Sequence, residues 1–202
     1  MRYLLPGAAA LFLTAVTVAL VAAAAAAPPA AAAGSYTLDP AKSSLQFTFV
    51  QAGAQNTGRF KSFTVSFDPP PAGSAAGRLE VAVAVGSLDT GDSDRDDTLR
   101  SSDLFDVAKF PQAHFSAAQI TQTAGGYEAQ GKLTIRGVTR DVRLPLALRE
   151  ANENGAAAAY LTGKTVVRRL DYGVGQGDWK ATDQAANDVT VSWSLRLTRA
   201  AH

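Results

Sequence analysis

The sequence contains no cysteine, one methionine and two histidines. Without thiols, no disulfide can staple the fold and no lipid can be attached through an N-terminal cysteine. With so few imidazoles, a transition-metal centre has almost no ligands to draw on. An excess of either charge is missing too. Nineteen basic residues face 18 acidic ones and no basic block interrupts the chain, which removes the electrostatic ground for a nucleic-acid partner. No serine sits in a nucleophile-elbow context, and no glycine-rich loop leads from a strand into a helix as a phosphate cradle requires. Asp92-Ser-Asp-Arg-Asp-Asp97, with Asp103 beyond, superficially resembles a calcium loop. It has no glycine at the sixth place and no closing glutamate, so it reads as an acidic helix start balanced by Arg95 and Arg100. Catalysis and a cofactor are therefore not expected.

What is present begins with an address. Met1-Arg2-Tyr3 is short and positive, residues 4–21 are apolar, and small residues follow, which is the pattern of a signal peptide. Cleavage after Ala31-Ala-Ala33 leaves a domain over 34–202, and the loss of Arg2 brings basic and acidic residues level. Pro28-Pro29 interrupts any helix that could persist there as an anchor. The domain is long enough for one sizeable core, which must hold the fold unaided.

Period-two alternation runs through most of that domain. Leu45, Phe47 and Phe49 mark one strand, and Phe63, Val65 and Phe67 a second after a break at Gly53 to Gly58. Leu79 to Val85 and His114 to Thr123 read as the third and fourth, with His114 facing away from Phe115. Gly126–Arg136 and Thr139–Glu150 form a hairpin, followed by strands over 156–169 and 188–199. Glycine at the first central place of a Gly137-Val138 turn predicts a type II′ loop with Leu133 opposite Val142 and Gly131 opposite Leu144. Lys132, Thr134, Arg136, Thr139, Asp141 and Arg143 then share the wet face. Pro145 has no N–H, so its strand is expected to carry a bulge or an unpaired stretch. Ser93 to Phe110 is the one non-strand element. It is a short helix capped by Ser93, whose apolar second half (Leu104, Phe105, Val107, Phe110) is suited to cover an opening in the sheet.

Eight long antiparallel runs with one apolar face favour an all-β, eight-stranded barrel over a sandwich. Whether its interior is filled or hollow depends on the inward positions. Phenylalanines on the first two strands argue for filling. Ala157, Ala159, Gly163 and Thr165 on the seventh, with Gly131, leave room for an elongated apolar ligand; a tapered, packed core fits the same composition.

Several stretches resemble the YceI family. These are Tyr36-Thr-Leu-Asp-Pro40 with Ser44-Leu-Gln-Phe47, Gly58-Arg-Phe-Lys-Ser-Phe63, Ser87-Leu-Asp-Thr90 and Arg95-Asp96 with Leu99-Arg-Ser-Ser-Asp-Leu-Phe-Asp106. Phe110-Pro111 with Phe115, Leu133-Thr-Ile-Arg-Gly-Val-Thr139 and Arg169-Leu-Asp-Tyr-Gly173 complete the set. The resemblance implies a lipocalin-like barrel whose lumen takes an isoprenoid-type lipid, such as a quinone or a polyprenyl phosphate, in a periplasmic or secreted protein. Transient membrane contact and a homodimer are compatible with it. It also places the segment from Asp103 to Phe110 at the border of the barrel. The family often carries a histidine at the end of the first strand and another after its Arg-Asp pair, where this chain has Gln51 and Thr98. Head-group contacts through those imidazoles are therefore absent.

By alternation, Phe47, Phe49, Phe63, Phe67, Leu133, Leu144 and Trp193 are expected to line the lumen, with Leu104, Phe105 and Phe110 added by the covering segment. Arg59, Arg168, Arg169 and Trp179 are candidates for a rim; outward-facing charges, a structural pair of Arg169 with Asp171 and a purely packing Trp179 are the structural alternatives. Gly173-Val-Gly-Gln-Gly177 lies between strands and is expected to be a mobile loop. Two rival functions remain at this stage, an interaction module with a packed core and a lipid-modifying enzyme.

Overall fold

A computed structural model of the chain describes residues 36–71, 73–153 and 156–199; the signal peptide expected over 1–33 lies outside them. The described strands are β1 (Tyr36–Leu38), β2 (Ser44–Gln51), β3 (Ala54–Phe60), β4 (Phe63–Asp68), β5 (Arg78–Ala84) and β6 (Leu88–Asp89). They continue with β7 (Gln112–Thr123), β8 (Gly126–Ile135), β9 (Val138–Glu153), β10 (Ala156–Arg168) and β11 (Asp188–Arg199). Every pairing between them is antiparallel.

These segments make eight staves. β1 and β2 both pair with β11, at Leu38–Leu197 and at Ser44–Ser194, and are one stave broken by the 3-10 turn Pro40–Lys42. β4 and β3 pair with β1 and β2 in the same way, and β5 and β6 with β4 and β3. Ser87 fastens the bend between the latter two staves, its hydroxyl accepting from Ser62 N at 3.0 Å and donating to Ala84 O at 2.6 Å. β7 to β11 complete the ring, and the β1–β11 pairing closes it. The eight extended runs read from the sequence are thus pieces of eight staves, and the ring they form is closed.

Three local expectations differ. The β8–β9 turn is Arg136-Gly137, with φ of 49° and 75°. Positive φ at both central residues makes a type I′ turn, so Leu133 faces Arg140 and Gly131 faces Val142. The register is two residues from the expected one, and because a strand's faces alternate with period two, every residue keeps its side. Thr134 and Thr139 meet outside at 2.8 Å, as do Lys132 and Asp141. Second, the stretch read as a break is strand β3, joined to β2 through Ala52-Gly53, also at positive φ (48° and 77°). Third, the helix is only α1 (Ser93–Arg100). Its N-cap is Asp92, which accepts from Arg95 N at 3.1 Å; turns follow to Phe110.

The barrel is solid at one end. Tyr36, Phe67, Ile120, Leu161 and Leu197 are fully buried there, packed around Ala129 and Ala159. Each large side chain removed from water at this floor contributes about 1.5–3 kcal/mol. The stretch left unpaired near Pro145 is also real. The β9–β10 ladder ends at Ala147–Thr162, although both strands continue.

Candidate functional site

Above the floor the barrel is hollow, enclosing a cavity of about 730 Å³. That volume falls within the ~300–1,000 Å³ of typical small-molecule sites. Its wall is made by Phe47, Phe49, Phe63, Leu133, Leu144 and Trp193, with Val65, Val81, Val83, Thr165, Val167, Val189 and Val191 between them. The hollow survives its aromatic lining because rings lie flat over neighbouring glycines. A Cβ built on Gly58 would stand 2.3 Å from Phe47 Cζ, and one on Gly163 would stand 2.3 Å from Trp193 Cζ2. Both glycines face those residues across paired strands, so each missing side chain makes the recess that takes a ring out of the lumen. Ala159, expected to widen the lumen, belongs to the floor.

The cap consists of the segment after α1 and the loop between β10 and β11. Leu104 and Phe105 enter the lining from the first, Tyr172, Val174 and Trp179 from the second. Backbone hydrogen bonds join the two, Gly175 N at 3.1 Å and Gln176 N at 2.7 Å both donating to Asp103 O. Arg136, expected on the wet face, turns over the cap and ties both parts to the β8–β9 turn, donating to Ser102 O at 2.7 Å and Gly173 O at 2.8 Å.

Arg169 is buried in this cap and lines the cavity. Its guanidinium donates to Val174 O (2.9 Å), Ala185 O (2.7 Å) and Ala186 O (3.0 Å). It makes no ion pair among the described residues; Arg168 is the residue that meets Asp171, at 3.3 Å. Burial lowers its pKa from the ordinary guanidinium value, and carbonyl dipoles take the place of a counter-ion. The glycine-rich loop exists to allow this. Gly175 has φ of 123°, and a Cβ there would fall 2.0 Å from Arg169 Nη1. The loop read as mobile is wound around a cation. Burial also raises the Tyr172 phenol beside it.

Three expected residues lie elsewhere. Phe67 is in the floor beneath Tyr36, its side right and its height wrong. Phe110 leaves the covering segment to pack under Gly137, with the Arg136 guanidinium 6.0 Å from its ring centre. Arg59 is on the outer surface, where it and Lys61 each meet Asp89 at 3.0 Å. His114 Nε2 likewise lies outside, 3.4 Å from Glu80.

The mouth opens between the β2–β3 hairpin and α1. Gln51 and Asn56 border it on one side and Asp92, Asp94, Arg95 and Thr98 on the other. Gln51 and Thr98 were singled out only as replacements for family histidines. Both line the cavity, the Thr98 hydroxyl donating to Asp94 O at 2.8 Å. Alternation does not assign Asn56 or the cap residues Tyr172 and Val174 to the site, because they lie in stretches without it. The site therefore has an apolar bore, a polar mouth and a buried cation in its cap, an arrangement able to enclose a long apolar group while its polar end stays at the rim.

Residues 36–197 match the family described as the YceI-like domain. A UPF0312 protein of Yersinia enterocolitica is 39% identical over 87 residues, covering 43% of this chain and 45% of the relative. One of an Enterobacter species is 38% identical over 91 residues, covering 45% and 47%. The chain thus spans a little under half the length of these curated relatives. Among solved structures, BcnA of Burkholderia cenocepacia has a TM-score of 0.72 at 33% identity, over 79% of this chain and 98% of that one. A polyisoprenoid binding domain from Saccharophagus degradans has a TM-score of 0.61 at 18% identity, over 82% and 98%, a likeness of fold.

Proposed function

The chain belongs to the YceI-like family, and from that membership and its capped apolar lumen we infer that it is a lipid carrier. It sequesters one isoprenoid-type chain, the tail of a quinone or a polyprenyl phosphate. The carrying observation is the cavity of about 730 Å³, apolar along its bore but for Thr165, with its other polar side chains at the mouth and cap. Burial there stabilises a bound chain by about 0.8 kcal/mol per methylene, a term blind to the head group. Head-group choice then falls to Gln51, Asn56 and Thr98 with the charged residues of α1. The binding described for the Saccharophagus domain supports this reading, and the leader supports an exported site of action. Loading and unloading would involve transient membrane contact. We assign no catalytic step.

Two measurements test this. Natively purified protein is extracted with organic solvent and analysed by mass spectrometry, and an isoprenoid lipid should co-purify. The chain has two tryptophans, Trp179 and Trp193, and both line the cavity, so a quinone with an isoprenoid tail should quench them in a saturable titration. Reproducible absence of lipid together with a flat titration would refute the carrier.

A further inference from the structure

The lumen has a second weak place, almost opposite the mouth in strand order. Above Ala147–Thr162 the facing edges of β9 and β10 are unpaired, while β9 stays paired with β8 up to Ile135–Val138 and β10 with β11 up to Arg168–Asp188. At the lower end of this seam the Pro145 carbonyl approaches Gly163 so closely that a Cβ there would lie 2.4 Å from it. At the upper end Arg140 donates to Asp171 O at 3.2 Å. The inner lips, Leu144 on one side and Thr165 and Val167 on the other, line the cavity itself.

Below the Arg140–Asp171 contact nothing charged fastens the seam. Lys132 holds Asp141 at 2.8 Å and Glu128 meets Arg143 at 4.0 Å on one bank, and Arg168 meets Asp171 at 3.3 Å on the other. Among the described residues no ion pair joins β9 to β10 along it. On the outer lip Val166 is 57% exposed. The proline and the lip charges of Arg143, Lys164 and Arg168 are the devices that keep a foreign β-strand off an open edge. What the seam can admit is an apolar chain with no backbone to pair.

We propose that the seam is a side outlet of the lumen, parting to release the far end of a chain too long to be enclosed. The site then selects isoprenoid character without an upper length limit. This rests on the carrier reading above.

Because the chain has no cysteine, Arg143→Cys with Val166→Cys gives a unique thiol pair at positions that would face each other if the ladder continued. Both are exposed, so the fold tolerates them. The pair is bridged with a short bismaleimide, and the same variant with both thiols blocked singly is the reference. Polyprenols of rising length, from farnesol upward, are titrated against tryptophan fluorescence. The reference should bind short and long chains alike. The bridged protein should hold farnesol within about twofold and lose at least about tenfold in affinity for the longest chain. Equal binding of the longest chain by both proteins, or a length cut-off in the reference, overturns the outlet and leaves the carrier standing. A reference that does not bind farnesol overturns both.

Discussion

Gly58→Ala is the smallest change that tests how the hollow is kept open. The added Cβ would stand 2.3, 2.8 and 2.9 Å from three atoms of the Phe47 ring, which are its nearest neighbours. The backbone of Gly58 is outside the left-handed region, so the conflict is purely one of side-chain volume. The ring cannot retreat along the wall, because Phe60 lies 5.1 Å away and Phe49 5.9 Å away, centre to centre. It must swing into the lumen or push those neighbours. Overpacking of this kind costs about 1–3 kcal/mol. Alanine recovers about 0.4–1 kcal/mol by restricting the unfolded chain. A net loss of about 1–2 kcal/mol follows, worth about 2–4 °C in Tm per kcal/mol for a chain of this size. Urea unfolding of the parent protein, Gly58→Ala, Phe47→Leu and the double variant closes a thermodynamic cycle. In the double variant the Cβ occupies space the ring has vacated, so the combined loss should fall short of the sum by about 1–2 kcal/mol. Losses additive to within ~0.5 kcal/mol would refute the account of rings recessed over glycines.

Replacing Arg169 by methionine keeps most of the side-chain volume and strands three carbonyl oxygens, so urea unfolding should report a loss of about 2–4 kcal/mol. Arg169→Lys should restore less than half of it, because one ammonium cannot span acceptors contributed by Val174, Ala185 and Ala186. Asp89 titrates at about 2, held down first by Lys61, then by Arg59, and by the Gly91 amide. A depressed carboxyl contributes stability that is present above its unfolded pKa, near 4, and is lost as pH falls through about 2. Acid unfolding of Asp89→Asn should lack that component of the pH dependence, whereas an unchanged profile would assign it to other carboxylates.

What the sequence made legible was sidedness. Alternation put Phe47, Phe63, Leu133, Leu144 and Trp193 on the inner face, and even a wrong turn left those faces intact because the register error was two residues. Alternation carries no information about height, which is why Phe67 was placed in the lumen and lies in the floor. Strand β3 was invisible because Ala54-Gln-Asn-Thr-Gly-Arg-Phe60 has almost no apolar face of its own; it is a strand by virtue of its pairing with β2. The partners of Arg169 are backbone carbonyls that any residues at those positions could supply, so no side-chain pattern announces them. Phe110 was misplaced for a related reason, since its seat under Gly137 is created by a turn far along the chain.

The division of the barrel into a filled end and an empty end separates two selective pressures. Tyr36, Phe67, Ile120, Leu161 and Leu197 keep the protein folded whatever the upper bore contains. Residues such as Phe49, Thr165 and Val189 can therefore be exchanged, and the cargo changed with them, while the base that closes the vessel stays as it is.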